Sequence, residues 1–126
     1  MEFEKSKLIE LKEKFDSIIN TEEKDNIEFW YARDLQIQLG YKRWENFIET
    51  IKKAMQSCEN AGIEVNNHFR EVTKMVQIGS GARRNLQDYM LTRYACYLIA
   101  QNGDSKKEEI AFAQTYFAVQ TRKQEI

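Results

Sequence analysis

Through residues 72–78 the chain alternates side by side: Val72, Val76 and Ile78 are separated by Thr73, Met75 and Gln77, with Lys74 interrupting the apolar side. A period of two belongs to a strand, and the Gly79-Ser80-Gly81 that follows is turn chemistry. Residues 84–89 then suit a returning strand, which predicts a β-hairpin with a flexible, small-residue tip. Nearly everything around this hairpin has a helical period. The expected fold is therefore mainly α with a small β element (α+β): a bundle of about five helices carrying one short strand and the hairpin.

The helices are read from apolar spacing and from punctuation. Leu8, Leu11, Phe15, Ile18 and Ile19 predict an amphipathic helix over residues 3–20, and the polar run 20–26 reads as a connection. Residues 27–31 (Ile-Glu-Phe-Trp-Tyr) are β-branched and aromatic and read as a strand. A two-turn helix over 32–39 stops at Gly40, and a longer one carries Trp44, Phe47, Ile48, Ile51, Met55 and Cys58 on one stripe before Asn60-Ala61-Gly62. Helical spacing returns from Leu91 to Ile99, with Thr92 as a candidate cap. Ser105 and Glu108 have capping-box spacing ahead of a last helix, with Asp104 as a competing cap. That last helix is apolar on more than one side, as a helix sandwiched in the interior would be. The chain thus divides into an N-terminal amphipathic helix and connection (1–25) and a domain over 26–123.

No proline occurs in the 126 residues, so glycines and caps do all the punctuation. Apolar residues make up 42% and charged residues 31%, a globular composition with no run approaching the ~20 apolar residues of a membrane span. The N-terminal residues alternate charge and lack an apolar signal-peptide core, so the expected location is the cytoplasm, away from membranes. Cys58 and Cys96 then read as buried reduced thiols. The net charge of −1 argues against strong non-specific binding of nucleic acid by the whole surface. Its distribution is uneven, because residues 66–101 carry Arg70, Lys74, Arg83, Arg84 and Arg93 against only Glu71 and Asp88.

The inventory for catalysis is thin. His68 is the only histidine, which rules out a histidine-based metal cage within one chain, and Cys58 lies ten residues from it with no further ligand at suitable spacing. Glu108 and Glu109 are neighbours on a first helical turn, where acids favour the helix dipole and do not face each other. The Gly79-Ser80-Gly81 turn has neither the lysine nor the glycine spacing of a nucleotide-binding loop. No enzyme activity and no cofactor are expected. Arg83-Arg84 beside the glycine turn reads either as a phosphate-reaching pair or as a solvated hairpin end whose charges discourage edge pairing. Lys42-Arg43, at the start of a helix, is a second basic pair that can face an anion. The helix–Gly–helix at 32–60 has the outline of a helix-turn-helix, but Gln36, Asn46 and Glu49 fall where small or apolar residues are wanted.

Several blocks, in order along the chain, carry a family resemblance. Phe29-Trp30-Tyr31-Ala32-Arg33-Asp34-Leu35 followed by Leu39-Gly40-Tyr41 resembles the opening of the Bro-N domain, shared by baculovirus repeated proteins, phage antirepressors and the DNA-damage-inducible protein D family. His68-Phe69, the glycine turn, the run from Asp88 to Asp104 and the run from Ala113 to Arg122 resemble the last of these, so that the likeness extends over roughly residues 6 to 123. The resemblance implies a DNA-damage-response (SOS) accessory protein of bacteria, acting on DNA or on RecA recombinase–DNA filaments to modulate recombination. Its alternative is an antirepressor-like module that binds DNA or dimerises. The family's usual second stretch is not found beyond residue 123 of this sequence.

Much of the signature has core periodicity, so contact residues must be sought elsewhere. The nucleic-acid-binding candidates are the basic residues Arg83, Arg84, Lys74, Arg70, Lys42, Arg43 and Arg93, the last with a competing structural role beside Asp88. Expected partners are single-stranded or duplex DNA, a RecA filament, and a second copy docked through the N-terminal helix, unless that helix packs back on its own domain.

Overall fold

The structure is a computed structural model that describes residues 5–125. Its core element is a four-stranded sheet. In chain order the elements are α1 (Lys5–Ser17), β1 (Asn20–Glu22), β2 (Ile27–Tyr31), α2 (Ala32–Gln38), α3 (Trp44–Asn60), a single 3₁₀ turn (Val65–Asn67), β3 (Phe69–Gln77), β4 (Arg83–Leu91), α4 (Arg93–Gln101) and α5 (Glu108–Glu125). The strand order is β1-β2-β4-β3, and every neighbouring pair is antiparallel. The architecture is therefore α+β built on a sheet, and the expected bundle gives way to helices arranged about that sheet.

The expected strand at 27–31 and the hairpin are both present, and the hairpin is longer than predicted. Its register is unbroken from Phe69↔Leu91 to Gln77↔Arg83. The Ile78 N–H donates to the Ala82 carbonyl and the Gly81 N–H to the Ile78 carbonyl, both at 2.9 Å, which closes a three-residue loop. That loop needs a left-handed residue at its end, and Gly81 supplies it with φ +83°. The polar run read as a connection contains β1, which pairs Asn20↔Phe29 and Glu22↔Ile27 across a turn ending at Asn26 (φ +53°). β2 joins β4 only at Trp30↔Leu91 and Tyr31↔Met90. Past Met90 toward the tip the hairpin has, among the described residues, no strand beside it except its own partner, and its outer half, from Thr73 and Gln87 onward, forms an arm.

Parity along the strands sets the layers. Trp30, Phe69, Tyr89 and Leu91 share one face and are buried under the helices. Trp30 meets Phe117 of α5 edge-on at 5.4 Å, and Phe15 of α1 touches Phe112, Tyr116 and Phe117 at 5.4–5.9 Å. α1 is thus fastened to the core by Leu11 and Phe15, while Ile18 and Ile19 leave the helix and pack against the core as chain. The first residues of its expected range, Phe3 and Glu4, lie outside the described residues. α3 buries Phe47, Ile51, Ala54 and Cys58, and α4 buries Ala95, Cys96, Ile99 and Ala100. Gly103, in the loop between α4 and α5, lies hard against α5, since a Cβ there would stand 2.9 Å from Ile110 Cγ2.

Helix ends follow the sequence at most positions. α2 and α3 finish in matching paired bonds: Gly40 N–H to Ile37 O and Tyr41 N–H to Gln36 O, then Gly62 N–H to Glu59 O and Ile63 N–H to Cys58 O. Thr92 caps α4, accepting from the Ala95 N–H at 3.1 Å. The Ser105–Glu108 box does not form. Asp104 instead accepts from the Lys106 N–H at 3.0 Å, and the helix starts four residues after Asp104, at Glu108. α2 has no cap of its own; Asp88 of β4 supplies one by accepting the Arg33 N–H at 3.0 Å.

Candidate nucleic-acid interface

The sheet face opposite the helices carries Ile27, Phe29 and Tyr31 of β2, Met90, Leu86 and Arg84 of β4, and Arg70, Val72, Lys74 and Val76 of β3. None of the apolar members is fully buried. Phe29 and Tyr31 meet edge-on at 5.3 Å. The Lys74 ammonium lies 3.5 Å from the centre of the Tyr31 ring and 3.2 Å from Asp88 Oδ2. Asp88 is wholly buried, and its other oxygen accepts from the backbone N–H groups of Arg33 (3.0 Å) and Tyr89 (2.8 Å). Lys74 thus neutralises a buried carboxylate and covers an aromatic ring, while part of its side chain stays in water.

The seven basic candidates separate by location. Arg70, opposite Met90, and Arg84, opposite Val76, share the open face with Lys74; both are exposed and neither makes an ion pair among the described residues. Arg83 is on the other face of the arm, because neighbours along a strand point oppositely, and its Nη1 lies 3.9 Å from Met75 Sδ. The adjacent arginines therefore do not converge. Lys42 and Arg43 are exposed in the loop before α3, with Arg43 Nε 3.7 Å from Glu45. Trp44 ties that loop to the arm through Arg33, whose guanidinium lies 3.9 Å over the indole while its Nε donates to the Gln87 carbonyl at 2.9 Å. Arg93 sits under the helices, 7% exposed; it pairs with Glu28, not with Asp88, and lies 5.1 Å over Trp30. Its Nε and Nη1 have no hydrogen-bond partner in that buried position.

Sequence reasoning about charge missed the aromatic part of this face. Parity was the available signal: if Trp30 points inward, Phe29 and Tyr31 must point outward together. Arg33 was missed as well, and no spacing announces it, since its role depends on Trp44 and Gln87 meeting in space.

The other reactive residues are engaged structurally. His68 Nδ1 is 2.7 Å from the Thr92 hydroxyl and its ring meets Tyr94 at 5.0 Å, and burial lowers its pKa. Burial pushes the Cys96 thiol well up and the Cys58 thiol up, so both are poor thiolates. Burial, followed by the hydrogen bond to Asp16, raises the Tyr116 phenol. Among the described residues, no three His, Cys, Asp or Glu side chains cluster as metal ligands, and no helix is long and apolar enough to cross a membrane.

Comparison with known proteins follows these structural lines. The signature described as the BRO family, N-terminal domain, matches residues 18–118, from just before β1 into α5. The DNA damage-inducible protein D of Escherichia coli (strain K12) is 52% identical over 99 residues, which cover 79% of this chain and 36% of that protein. The chain therefore spans about a third of its relative's length. No solved structure matches the chain significantly.

Proposed function

The chain belongs to the family of BRO N-terminal domains, and on that premise we propose that it is a non-enzymatic, nucleic-acid-binding module of the DNA damage response, acting on DNA or on RecA recombinase–DNA filaments. Similarity to a protein whose name states induction by DNA damage supports the setting. One observation carries the binding role: Arg70 and Arg84 have no ion-pair partner among the described residues and stand on a largely apolar and aromatic open face, with the Lys74–Asp88 pair between them. Free guanidinium groups match phosphate oxygens, and exposed rings beside them match bases. Only a few phosphates can be reached, so binding is weak and salt-sensitive. In a titration of DNA affinity against salt, replacing Arg70 and Arg84 together by alanine lowers the slope of log K against log salt by about 1.5. An unchanged affinity and slope removes this face from the function.

A second reading, docking of another protein or a second copy, has its own support in Ile9 (53% exposed) of α1 and Ile37 (71% exposed) of α2. Deleting α1 would remove Phe15 from the core, so the better test is Ile9→Asp with Ile37→Asp, followed by light scattering. A mass that is the same as wild type at every concentration sinks self-association through these residues.

A further inference from the structure

We infer that the depression at the base of the open sheet face receives one unpaired nucleobase of a DNA strand, stacked on Phe29, with its phosphate at Arg70. This deepens the nucleic-acid reading above and rests on it. The depression measures about 330 Å³, at the small end of the ~300–1,000 Å³ of ligand pockets. Its apolar walls are Ile27, Phe29 and Met90, and Arg70, Asn66 and Asn67 stand on its rim. A planar ring that is apolar on its faces and polar along its edge fits such walls, and an aliphatic ligand would leave the amides without partners.

Three features point to a base in particular. Phe29 presents a ring outward and is held edge-on by Tyr31, so it is oriented before anything binds. The Asn66 and Asn67 side-chain amides have no partner among the described residues, and an amide offers both a donor and an acceptor to a base edge. Arg70 has no ion-pair partner among the described residues, and from it the cations continue outward along the same face. At ~3.4 Å per residue, Lys74 stands about 14 Å and Arg84, level with Val76, about 20 Å farther along the strand. A backbone leaving the depression at Arg70 thus passes the Lys74–Asp88 pair and meets Arg84, a second cation without an ion pair among the described residues, up the arm. Glu22 also lines the depression, and as an acceptor near the edge it favours bases that present amino or imino hydrogens. A duplex cannot enter without unstacking a base, so the site prefers single strands.

The test is fluorescence-anisotropy titration of one labelled oligonucleotide, single-stranded and in duplex, against the whole chain and Phe29→Leu, which keeps apolar bulk and removes the ring. The single strand is expected to bind the wild type more tightly than the duplex does and to lose about five-fold or more on Phe29→Leu, with duplex binding unmoved. Equal loss on both substrates, or no loss, overturns the site and leaves the nucleic-acid reading standing. Failure of the wild type to bind either substrate overturns both. NMR of the wild type decides the matter even if the variant misfolds: the strand shifts the Asn66 and Asn67 amide signals and the Phe29 ring protons, and unmoved signals at saturation reject the site.

Discussion

The inner and outer halves of the β3–β4 hairpin share two strands and one continuous register, yet they are held by different forces. In the inner half, Phe69, Tyr89 and Leu91 are part of the core, and Asp88 is buried as the cap of a neighbouring helix. The outer half, from Thr73 and Gln87 to the tip, is held by cross-strand pairs, the Arg33 bridge to Gln87 and, at its border, the Lys74 contacts with Asp88 and Tyr31, and Met75 stands 60% exposed. Basic residues sort by face more than by half: Arg70 in the inner half and Arg84 in the outer both stand on the open face without an ion pair among the described residues. Arg93, just past the inner half, is consumed by Glu28 and Trp30, whereas Arg84 in the outer half has no partner among the described residues. Charge becomes available for binding where the structure does not need it, and Lys74 sits on the border with one foot in each role.

The largest effect should come from the residue on which the inner half turns. Asp88→Ala removes the cap of α2 and leaves the Arg33 N–H without its carboxylate, and should cost about 3 kcal/mol in urea unfolding. Lys74→Met should cost less, about 2 kcal/mol, because it strips the buried Asp88 of its cation but leaves both backbone N–H bonds to that carboxylate in place. Equal costs would erase the boundary between the halves.

Two glycines extend the comparison. Gly103→Ala drives a methyl group into Ile110 in the body and should lower global stability by about 2 kcal/mol. Gly81→Ala meets no neighbouring atom but forces a side chain into a left-handed residue, a cost of about 1–2 kcal/mol located at the tip. If the arm opens independently, the second penalty appears as faster amide exchange at residues 76–84, with the melting temperature nearly unmoved. A melting shift as large as that of Gly103→Ala would mean that arm and body unfold as one unit.

Why some of this was readable in the sequence follows from the same physics. The hairpin, the strand at 27–31 and the ends of α2 and α3 were legible because each is dictated locally, by alternation, β-branching or a glycine. β1 was not, because Asn20-Thr21-Glu22 buries almost nothing and exists only through pairing with β2. The start of α5 depends on Asp104 taking the Lys106 N–H and on Ile110 meeting Gly103, a tertiary fit that Ser105-to-Glu108 spacing does not encode. For the proposed interface, charge counting pointed to the segment that forms the hairpin, and parity separates Arg83 from Arg84. The fate of Arg93 and Lys74 required knowing which face the helices cover.

That parity makes a smaller but sharper prediction. Arg84→Ala should reduce the salt slope of DNA binding by about 0.7–0.9, one phosphate contact, whereas Arg83→Ala on the opposite face should leave it unchanged. Equal losses would show both faces of the arm in contact, as in a ribbon inserted tip-first into a groove, and would move the interface off the sheet face.

The smallest effect concerns pH and acts on the inner half alone. His68 is bonded to the hydroxyl that caps α4, and burial lowers its pKa in the folded chain below its unfolded value of about 6.5. The unfolded chain therefore takes up the proton first, so stability is constant above about pH 6.5 and declines as the pH falls toward the lower folded value. Asp16 acts in a different range: burial opposes its ionisation, but bonds from Lys12 and Tyr116 outweigh that and lower its pKa, so its stabilising contribution fades only under more acid conditions, below about pH 4. A modest loss of unfolding free energy as the pH falls below about 6.5 that vanishes in His68→Gln is expected. Amide exchange should quicken around Thr92 and Phe69 before it does at the arm. If the arm responds first, the base of the hairpin is not where His68 acts, and the two halves are coupled more tightly than their contacts imply.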